Sequence, residues 1–341
     1  MTIGVRRAVV VGTTAWGTTL ALLLARNGVS TVLLAREADE AKRLHMAREH
    51  TRRLPGALFP EALAVEAAHE SLGTADLICF AVPSRTMAEN ITRIVPNVSP
   101  NAVLLSAAKG LERESGKRMS ELLSEMLPTH PVAVISGPNL SYEVAAGLPG
   151  TAVIASESEV VTETLRNAFH SSSFRVYSSD DLIGVELGGA LKNVFAIAGG
   201  IVDALGYGDN AKAAILTRGL AEMTRLGIAA GAEPLTFQGL TGVGDLIATA
   251  YSPLSRNRRL GELLGSGVAL EQALVELDAT AEGAVTTPAA IALARRLGVE
   301  MPIALGLEGI IAGEFSPEQV VHALMERQPK PELSDTPRVS Q

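Results

Sequence analysis

Cysteine is nearly absent from this 341-residue chain, and an excess of basic residues is missing as well. The single cysteine, Cys79, lies in the apolar run "DLICFAV", which excludes a disulfide framework or a cysteine-based metal site and fits a reducing compartment. The formal net charge of -8 argues against nucleic acid as a partner. The six histidines lack His-x-x-x-His spacing, so we expect no metal site. Small anionic molecules remain candidate ligands.

Long uninterrupted apolar runs are also missing. Arg6 and Arg7 precede a mostly apolar stretch ending in "LLLAR", a pattern that superficially resembles a signal peptide. Glycines and threonines interrupt this stretch, and its composition changes from β-branched residues to helix formers at the glycine turn. No run approaches the roughly 18 apolar residues of a membrane helix. We therefore expect a cytoplasmic protein with no integral membrane segment.

Short apolar runs alternate with helix-like segments in the first half of the chain. The opening stretch "VVVGTTAWGTTLALLLARNG" predicts a buried strand, a tight turn and a helix. Strands that are apolar throughout and alternate with helices predict a parallel sheet covered on both faces. The further predicted strands lie within 30–36, 75–84, 101–110, 131–139 and 150–156, and predicted helices include 85–95 and 115–127.

From about Asp181 the strand-like runs disappear, and helical patterns with Gly and Ala spacing take over. The predicted fold class is therefore α/β, with an N-terminal Rossmann-type parallel-sheet domain followed by an all-helical C-terminal domain. We expect the first domain to span 1–181 and the second 182–330. The polar, proline-containing end of the chain predicts a frayed tail over 331–341.

The turn after the first strand is a partial dinucleotide fingerprint. In Gly-x-Gly-x-x-Gly, the first glycine makes the turn, the second lets the backbone approach the pyrophosphate, and the third lets helix and strand pack closely. Gly12 and Gly17 supply the first and third, but Thr14 occupies the middle position. The Cβ of Thr14 lies where a phosphate normally touches bare backbone. A glycine turn that binds no nucleotide is the alternative to a cofactor site.

The second predicted strand ends in Arg36, followed by Glu37. It lacks the acidic residue that accepts a ribose hydroxyl in NAD-preferring sites. An arginine at this position suits a 2′-phosphate, which favours NADPH. A solvated arginine without a ligand is the alternative.

Lys192 lies in "ELGGALKNVFAIAGG", a predicted helix whose other residues are mostly apolar or glycine. A lysine held there is partly desolvated, which lowers its pKa towards the range useful for proton transfer. A lysine that extends along the helix to solvent is the alternative, and this stretch alone leaves both open.

A polar cluster follows in "GVGDLIATAYSPLSRNRRLGELLG", which contains Asp245, Ser255, Arg256 and Asn257. Helix N-terminal amides together with a guanidinium form a phosphate site. Alternatively, Asp245 and Ser255 are helix N-caps and the arginines lie on a solvated face. Lys109 in "SAAKGLE" follows the carboxyl end of a strand, where ligands gather in open α/β sheets, unless it is a surface lysine in a turn.

Together these stretches resemble the bacterial NAD(P)-dependent glycerol-3-phosphate dehydrogenase family, from about Val9 to Glu332. The resemblance rests on "GTTAWGTTLA", "LPGALFP", "FAVPS", "SAAKGLE", "ISGPN", "ELGGALKNVFAIAGG", "LTRGLAEMTRLG", "GVGDLIATAYSPLSRNRRLGE" and "AEG", in that order. It implies an N-terminal Rossmann domain, a helical substrate domain, NADPH or NADH as cofactor, and a homodimer. The implied reaction is the reversible reduction of dihydroxyacetone phosphate to sn-glycerol 3-phosphate, which feeds phospholipid synthesis.

The resemblance also implies roles for individual residues. Lys192 is similar to the family's proton donor and acceptor, and Lys109 to a residue that contacts both substrate and cofactor. The other implied substrate ligands are Gly137, Asn139, Asp245, Ser255, Arg256 and Asn257. The implied cofactor contacts are Ala15, Trp16, Arg36, Ser141, Arg256 and Glu282, to which the glycine turn adds Gly12, Thr14 and Gly17.

This chain departs from the family pattern mainly at the cofactor-facing turn. Thr14 replaces the usual middle glycine, Thr13 and Thr19 stand where small residues are usual, and Asn139 and Ser141 also differ from the commonest residues. The positions expected to handle protons and the substrate phosphate are retained. Two alternative functions are a catalytically silent relative that binds a ligand or partner, and another Rossmann reductase, such as a ketopantoate reductase.

The predicted reaction delivers a hydride to the carbonyl carbon of dihydroxyacetone phosphate while the Lys192 ammonium protonates the developing alkoxide. Arg256, Asn257 and the helix start anchor the phosphate. Thr14 either holds the pyrophosphate farther off or lends its hydroxyl as a replacement hydrogen-bond donor. We expect weakened cofactor affinity with activity retained.

Overall fold

A sheet of eight strands organises the first half of the chain in this computed structural model, which describes residues 4–277, 280–329 and 331–332. The strands are β1 (Arg7–Val11), β2 (Ser30–Leu34), β3 (Leu63–Glu66), β4 (Leu77–Phe80), β5 (Val103–Ser106), β6 (Val132–Ser136), β7 (Gly150–Ala155) and β8 (Phe174–Ser179). Their order across the sheet is β3-β2-β1-β4-β5-β6-β7-β8. The first six strands thus have the Rossmann order, with the switch point between β1 and β4.

The strands β1 to β6 pair in parallel, as predicted, but β7 runs antiparallel to β6 and parallel to β8. Strands β3 and β8 lie at the two edges of the sheet, and the sequence patterns did not predict them. Their side chains alternate between buried and more exposed positions. Edge strands therefore lack the continuous apolar runs by which the central strands are recognised.

Helices cover both faces of the sheet because successive side chains of a strand point to opposite faces. Ala8 and Val10 of β1 pack in one apolar cluster with the first helix, whereas Val9 and Val11 pack in a second cluster with Ile91 and other residues. The predicted helices 85–95 and 115–127 contain α3 and α4. The helices of this part are α1 (Ala15–Arg26), α2 (Ala38–Ala47), α3 (Met87–Ile94), α4 (Met119–Met126), α5 (Ser141–Ala145) and α6 (Glu159–Phe169).

The second part is helical, and no strand follows β8 within the described residues. Its first helix begins at Leu182, where the Asp181 carboxylate accepts a hydrogen bond from the amide of Gly184 at 2.8 Å. Of the predicted tail, 331–341, only 331–332 lies within the described residues. The helices are α7 (Leu182–Ala204), α8 (Gly208–Ala229), α9 (Asp245–Tyr251), α10 (Arg256–Gly265), α11 (Leu270–Glu276), α12 (Glu282–Leu297), α13 (Pro302–Ile311) and α14 (Pro317–Met325).

Helix α7 is the central helix of this part. Among the described residues it alone is long and apolar enough to cross a membrane by length and composition, and its apolar window is wholly buried inside the protein. Its residues pack with those of the surrounding helices in one apolar cluster. Helix α7 is therefore a core helix, and its length reflects the number of helices that pack around it.

Glycines bring α7 and α10 into close contact. A Cβ on Gly261 would lie 2.9 Å from the Cα of Gly200 and would collide with the carbonyl oxygen of Ile197. A Cβ on Gly200 would collide with the carbonyl oxygen of Arg258. The two backbones approach at a distance that only glycine permits, and this contact places the first turn of α10 beside α7.

Candidate active site

The glycine turn lies at the switch point of the sheet, after β1 and beside the end of β4. Gly12 has a φ of +106°, and a Cβ there would lie 2.9 Å from the carbonyl oxygen of Ala81. A Cβ on Gly17 would collide with the Gly12 carbonyl oxygen and lie 3.0 Å from the Cβ of Ala81. Both positions therefore need glycine, and α1 begins at Ala15 and Trp16 directly above the turn.

Thr14 is the N-cap of α1. Its Oγ1 accepts a hydrogen bond from the amide of Gly17 at 2.9 Å and donates one to the carbonyl oxygen of Ala81 at 2.8 Å. The hydroxyl has a single proton, which is engaged by Ala81. The alternative in which Thr14 lends this proton to a pyrophosphate is therefore not compatible with the hydrogen bonds seen here, and the steric alternative remains.

Arg36 lies two residues beyond β2, and its side chain is 61% exposed. Its Nη2 lies 2.9 Å from Oε1 of Glu89 on α3, and its Nε lies 3.7 Å from Oε1 of Glu37. The guanidinium is thus exposed to solvent and paired with two carboxylates at the surface. Its proposed contact with a 2′-phosphate stays a prediction.

Lys192 and Asp245 form a buried ion pair. Lys192 Nζ donates to Asp245 Oδ1 at 2.7 Å and to Thr249 Oγ1 at 2.5 Å. The two charged side chains are only 8% and 2% exposed. Lys192 is therefore desolvated rather than extended to solvent. Asp245 is the first residue of α9, whose N-cap is Gly244, so the N-cap alternative for Asp245 is wrong.

Lys109 joins this pair from the sheet side. Its Nζ donates to Asp245 Oδ2 and to the carbonyl oxygen of Gly137, both at 2.7 Å. Lys109 follows β5 and Gly137 follows β6, so the carboxyl ends of neighbouring strands meet α7 and α9 here. The Asp245 carboxylate bridges two ammonium groups, and Lys109 is not a surface lysine.

Burial and charge set the protonation of this cluster. Burial lowers the pKa of Lys192 to about 8, with the Asp245 carboxylate opposing this shift and Lys109 adding to it. Burial raises the pKa of Asp245, but the positive charges of Lys109 and Lys192 outweigh it and hold that pKa below its usual value. Asp245 stays a carboxylate at neutral pH, while Lys192 can exchange a proton near neutral pH.

The start of α10 lies beside this cluster. Ser255 is the N-cap, and its Oγ accepts a hydrogen bond from the Arg258 amide at 3.2 Å, so the N-cap alternative for Ser255 is correct. Asn257 Nδ2 donates to Asn193 Oδ1 at 2.8 Å, and Asn257 Oδ1 accepts from the Gly283 amide at 3.0 Å. Asn257 is thus held in one orientation, at a helix N-terminus that favours anions.

Arg256 is the first residue of α10. Its side chain is exposed, and its charge interacts favourably with Glu282 and unfavourably with Arg53. Glu282 in turn accepts a hydrogen bond from Ser84 Oγ at 2.6 Å, across from the end of β4. Glu282 therefore connects the neighbourhood of Arg256 to the end of β4, whereas Arg36 pairs with Glu37 and Glu89.

Gly137, Asn139 and Ser141 form the loop and helix start after β6. Gly137 has a φ of +130°, which favours glycine. Asn139 Nδ2 donates to the carbonyl oxygen of Thr151 at 2.7 Å, and the Ser141 carbonyl accepts from Thr19 Oγ1 at 3.0 Å. This loop is thus anchored to β7 on one side and to α1 on the other.

Unpartnered polar atoms mark the same edge of the sheet. Trp16 Nε1, Ser136 Oγ and Asn139 Oδ1 are buried and have no hydrogen-bond partner among the described residues. Together with the glycine turn, which needs glycine at Gly12 and Gly17, these atoms are unused hydrogen-bonding groups at the edge where a nicotinamide dinucleotide and its substrate bind in such sheets. The residues present therefore fit this cofactor. Within the described part of the chain, no cluster of three His, Cys, Asp or Glu side chains could hold a metal ion.

Three residues of the site were missed by sequence reasoning. Thr249 Oγ1 contacts Lys192 and, at 3.2 Å, Asp245, and it lies four residues after Asp245, one helical turn along α9. Asn193 Nδ2 donates to the Lys109 carbonyl oxygen at 3.0 Å. Ser84 orients Glu282. Helical spacing predicts that Thr249 shares a face with Asp245, but nothing local points to Ser84.

A Rossmann sheet has its glycine turn at the switch point, and a desolvated lysine that can exchange a proton is linked to its strand ends through Asp245. This combination is typical of a nicotinamide-dependent oxidoreductase. Residues 7–162 match the family model described as NAD-dependent glycerol-3-phosphate dehydrogenase N-terminus. Residues 181–322 match the model described as the C-terminus of the same family. The chain therefore belongs to the NAD-dependent glycerol-3-phosphate dehydrogenase family, and the predicted resemblance is confirmed.

Relatives with the same family name match nearly the whole chain. Glycerol-3-phosphate dehydrogenase [NAD(P)+] of Chlorobium phaeobacteroides is 44% identical over 328 residues, covering 95% of this chain and 98% of the relative. That of Streptomyces avermitilis is 44% identical over 329 residues, covering 96% and 98%. The crystal structure of glycerol-3-phosphate dehydrogenase from Coxiella burnetii is 39% identical, with a TM-score of 0.91, covering 94% of this chain and 99% of that chain.

The alternative of a ketopantoate reductase receives much weaker support. The ketopantoate reductase of Ralstonia eutropha is 17% identical, with a TM-score of 0.61, covering 93% of this chain and 99% of that chain. This likeness shows a shared fold alone.

Proposed function

We propose that the protein catalyses the NAD(P)H-dependent, reversible reduction of dihydroxyacetone phosphate to sn-glycerol 3-phosphate. The observation that carries the proposal is the Asp245 carboxylate bridging Lys109 from the sheet and Lys192 from α7, at 2.7 Å from each ammonium. This arrangement offers a proton donor in a water-poor site, beside the strand ends where a nicotinamide cofactor binds in such sheets.

Lys192 donates the proton in the reduction. Its ammonium is held by Asp245 and Thr249, so its position and hydrogen bonds are set before the substrate arrives. As negative charge develops on the carbonyl oxygen, the ammonium stabilises the charge and transfers its proton. In the oxidation, neutral Lys192 accepts the proton from the glycerol hydroxyl. Lys109 adds positive charge to the same region.

The start of α10 anchors the substrate phosphate. The Arg256 guanidinium, the Asn257 amide group and the N-terminal amides that follow Ser255 share the first turn of α10, and the Arg256 charge acts on Lys192. Gly137 and Asn139 complete the substrate side from the loop after β6. An anchored phosphate restricts the carbonyl to one orientation, which converts binding energy into a lower barrier.

The cofactor is NADPH or NADH, and it supplies the hydride that adds to the carbonyl carbon. When bound, it would lie at the carboxyl edge of the sheet, where the glycine turn would hold its pyrophosphate. Arg36 is proposed to contact a 2′-phosphate, because its guanidinium is exposed and planar and suits a phosphate. The residues proposed to contact the cofactor are Gly12, Thr14, Ala15, Trp16, Gly17, Arg36, Lys109, Ser141, Arg256 and Glu282.

The domain division, location and assembly are also part of the proposal. Residues 1–181 bind the cofactor and residues 182–330 supply most substrate contacts. A cytoplasmic location is supported by the single, buried Cys79, which suits a reducing compartment. A homodimer is proposed from the family resemblance alone, and light scattering on the purified protein tests it.

The reaction is tested by following the absorbance of reduced nicotinamide with dihydroxyacetone phosphate and either NADPH or NADH. Dihydroxyacetone without the phosphate is the matched substrate control, and it should be consumed far more slowly. Lys192→Ala should abolish turnover while cofactor affinity stays unchanged. Turnover by Lys192→Ala would remove Lys192 from its role. A folded wild-type protein that binds substrate but oxidises neither cofactor would favour the catalytically silent alternative.

A further inference from the structure

A second ion cluster lies behind the substrate-facing turn of α10. Asp203, at the C-terminal end of α7, accepts hydrogen bonds from Lys212 Nζ of α8 at 2.7 Å and from Arg258 Nε of α10 at 2.9 Å. Both bonds go to the same oxygen, Oδ2. The Lys212 side chain is buried, so this carboxylate is the partner that allows a cation to remain in the interior.

The cluster connects four helices. Lys212 Nζ also lies 4.3 Å from the centre of the Tyr251 ring, at the C-terminal end of α9. Arg258 Nη2 lies 2.8 Å from Glu262 Oε1, one turn further along α10. Asp203 on α7 therefore contacts both α8 and α10. Through Lys212 and Tyr251 the cluster also contacts α9, which carries the Asp245 carboxylate at its other end.

Arg258 couples this cluster to the proposed phosphate site. It lies two residues after Arg256 and one after Asn257, in the same first turn of α10. Its amide donates a hydrogen bond to Oγ of Ser255, the N-cap of α10. Its carbonyl oxygen packs against Gly200 of α7. Its side chain points to Asp203, away from the Lys192 and Asp245 pair. A displacement of Arg258 therefore rotates the turn that carries Arg256 and Asn257.

We propose that Asp203 is a positioning residue for recognition of the substrate phosphate: by holding Arg258 and Lys212 together, it fixes the orientation of the first turn of α10. The inference rests on the proposed function and deepens it. Within the described residues, the hydrogen bonds of the Asp203 carboxylate go to Lys212 and Arg258 and not to Lys192, Asp245 or the glycine turn. Its loss therefore weakens binding of the phosphorylated substrate more than it slows the chemical step.

The test compares the steady-state kinetics of wild type and Asp203→Asn. We expect the KM for dihydroxyacetone phosphate to rise about tenfold or more, with kcat changed by less than about threefold and the KM for NADPH unchanged. Inhibition by inorganic phosphate, used as a probe of the anchor site, should weaken in parallel. Asp203→Glu, which keeps the carboxylate, should recover part of the lost affinity.

Glu308→Gln is the matched control. It breaks the ion pair of Glu308 with Arg295 elsewhere in the helical part, and the Glu308 side chain is 26% exposed, close to the 23% of Asp203. This control should leave every kinetic constant near the wild-type value. If Asp203→Asn does not fold, Arg258→Met removes the same contact while keeping most of the side-chain length, and it should show the same selective rise in KM.

An unchanged KM for dihydroxyacetone phosphate in a folded variant overturns the positioning role. An equal rise in both KM values also overturns it, because that result indicates a general loosening of the protein. A wild-type protein without dehydrogenase activity contradicts the proposed function itself, so the two failures are distinguishable.

Discussion

Thr14→Gly is the substitution that best tests how this chain holds its cofactor. Thr14 caps α1 and donates to the Ala81 carbonyl oxygen at 2.8 Å. Replacing an N-cap by glycine costs only a few tenths of a kcal/mol, about 0.3. Loss of the second hydrogen bond costs about 1 kcal/mol. We therefore expect the free energy of unfolding to fall by about 1 kcal/mol.

Although Thr14→Gly should lower the stability of the protein, it should increase its affinity for the cofactor. Without the Cβ, the pyrophosphate can approach the backbone of the turn and gain a charge-assisted hydrogen bond, worth about 1.5 to 3 kcal/mol. The Kd for NADPH should therefore fall by about tenfold to a hundredfold. Less stable protein with tighter cofactor binding is a combination that a general packing defect does not produce.

The assay uses Trp16, the single tryptophan of the sequence, which begins α1 beside the turn and reports cofactor binding by its fluorescence. Thr14→Ala is the matched control because it removes the hydroxyl but keeps the Cβ. If the Cβ is the obstacle, the alanine variant keeps the wild-type Kd while the glycine variant binds more tightly. An unchanged Kd in Thr14→Gly would refute the steric reasoning.

Two further predictions concern the site and the core. Because burial lowers the pKa of Lys192 to about 8, ketone reduction, which needs the ammonium, should slow as pH rises through about 8. Alcohol oxidation, which needs the neutral amine, should become faster over the same range. Profiles of kcat against pH in both directions check this, and flat profiles contradict it. Gly261→Ala should lower the free energy of unfolding by about 1 to 3 kcal/mol, because its Cβ would lie 2.9 Å from the Gly200 Cα. Thermal unfolding measures it, with Gly199→Ala as control, since that Cβ makes only ordinary contacts, the nearest at 3.5 Å to Leu216.

Local sequence patterns determined much of this protein. The run of β-branched residues, the glycine turn and the following helix formers predicted the first strand–turn–helix unit, because side-chain burial along one element leaves a periodic pattern. The apolar surroundings of Lys192 left two alternatives open, a desolvated lysine and a lysine that extends to solvent, and the structure decides for the first. The order of the motifs identified the family, including the residues Lys109 and Asp245.

Tertiary structure decided which of these groups meet. Asp245 is separated in sequence from Lys109 by 136 residues and from Lys192 by 53, and only the strand order and the packing of α9 on α7 place it between them. The Thr14 proton goes to a carbonyl 67 residues away, on the neighbouring strand's end. Periodicity records how each element is buried but not which element it faces, so contacts between distant segments depend on sheet order and helix packing.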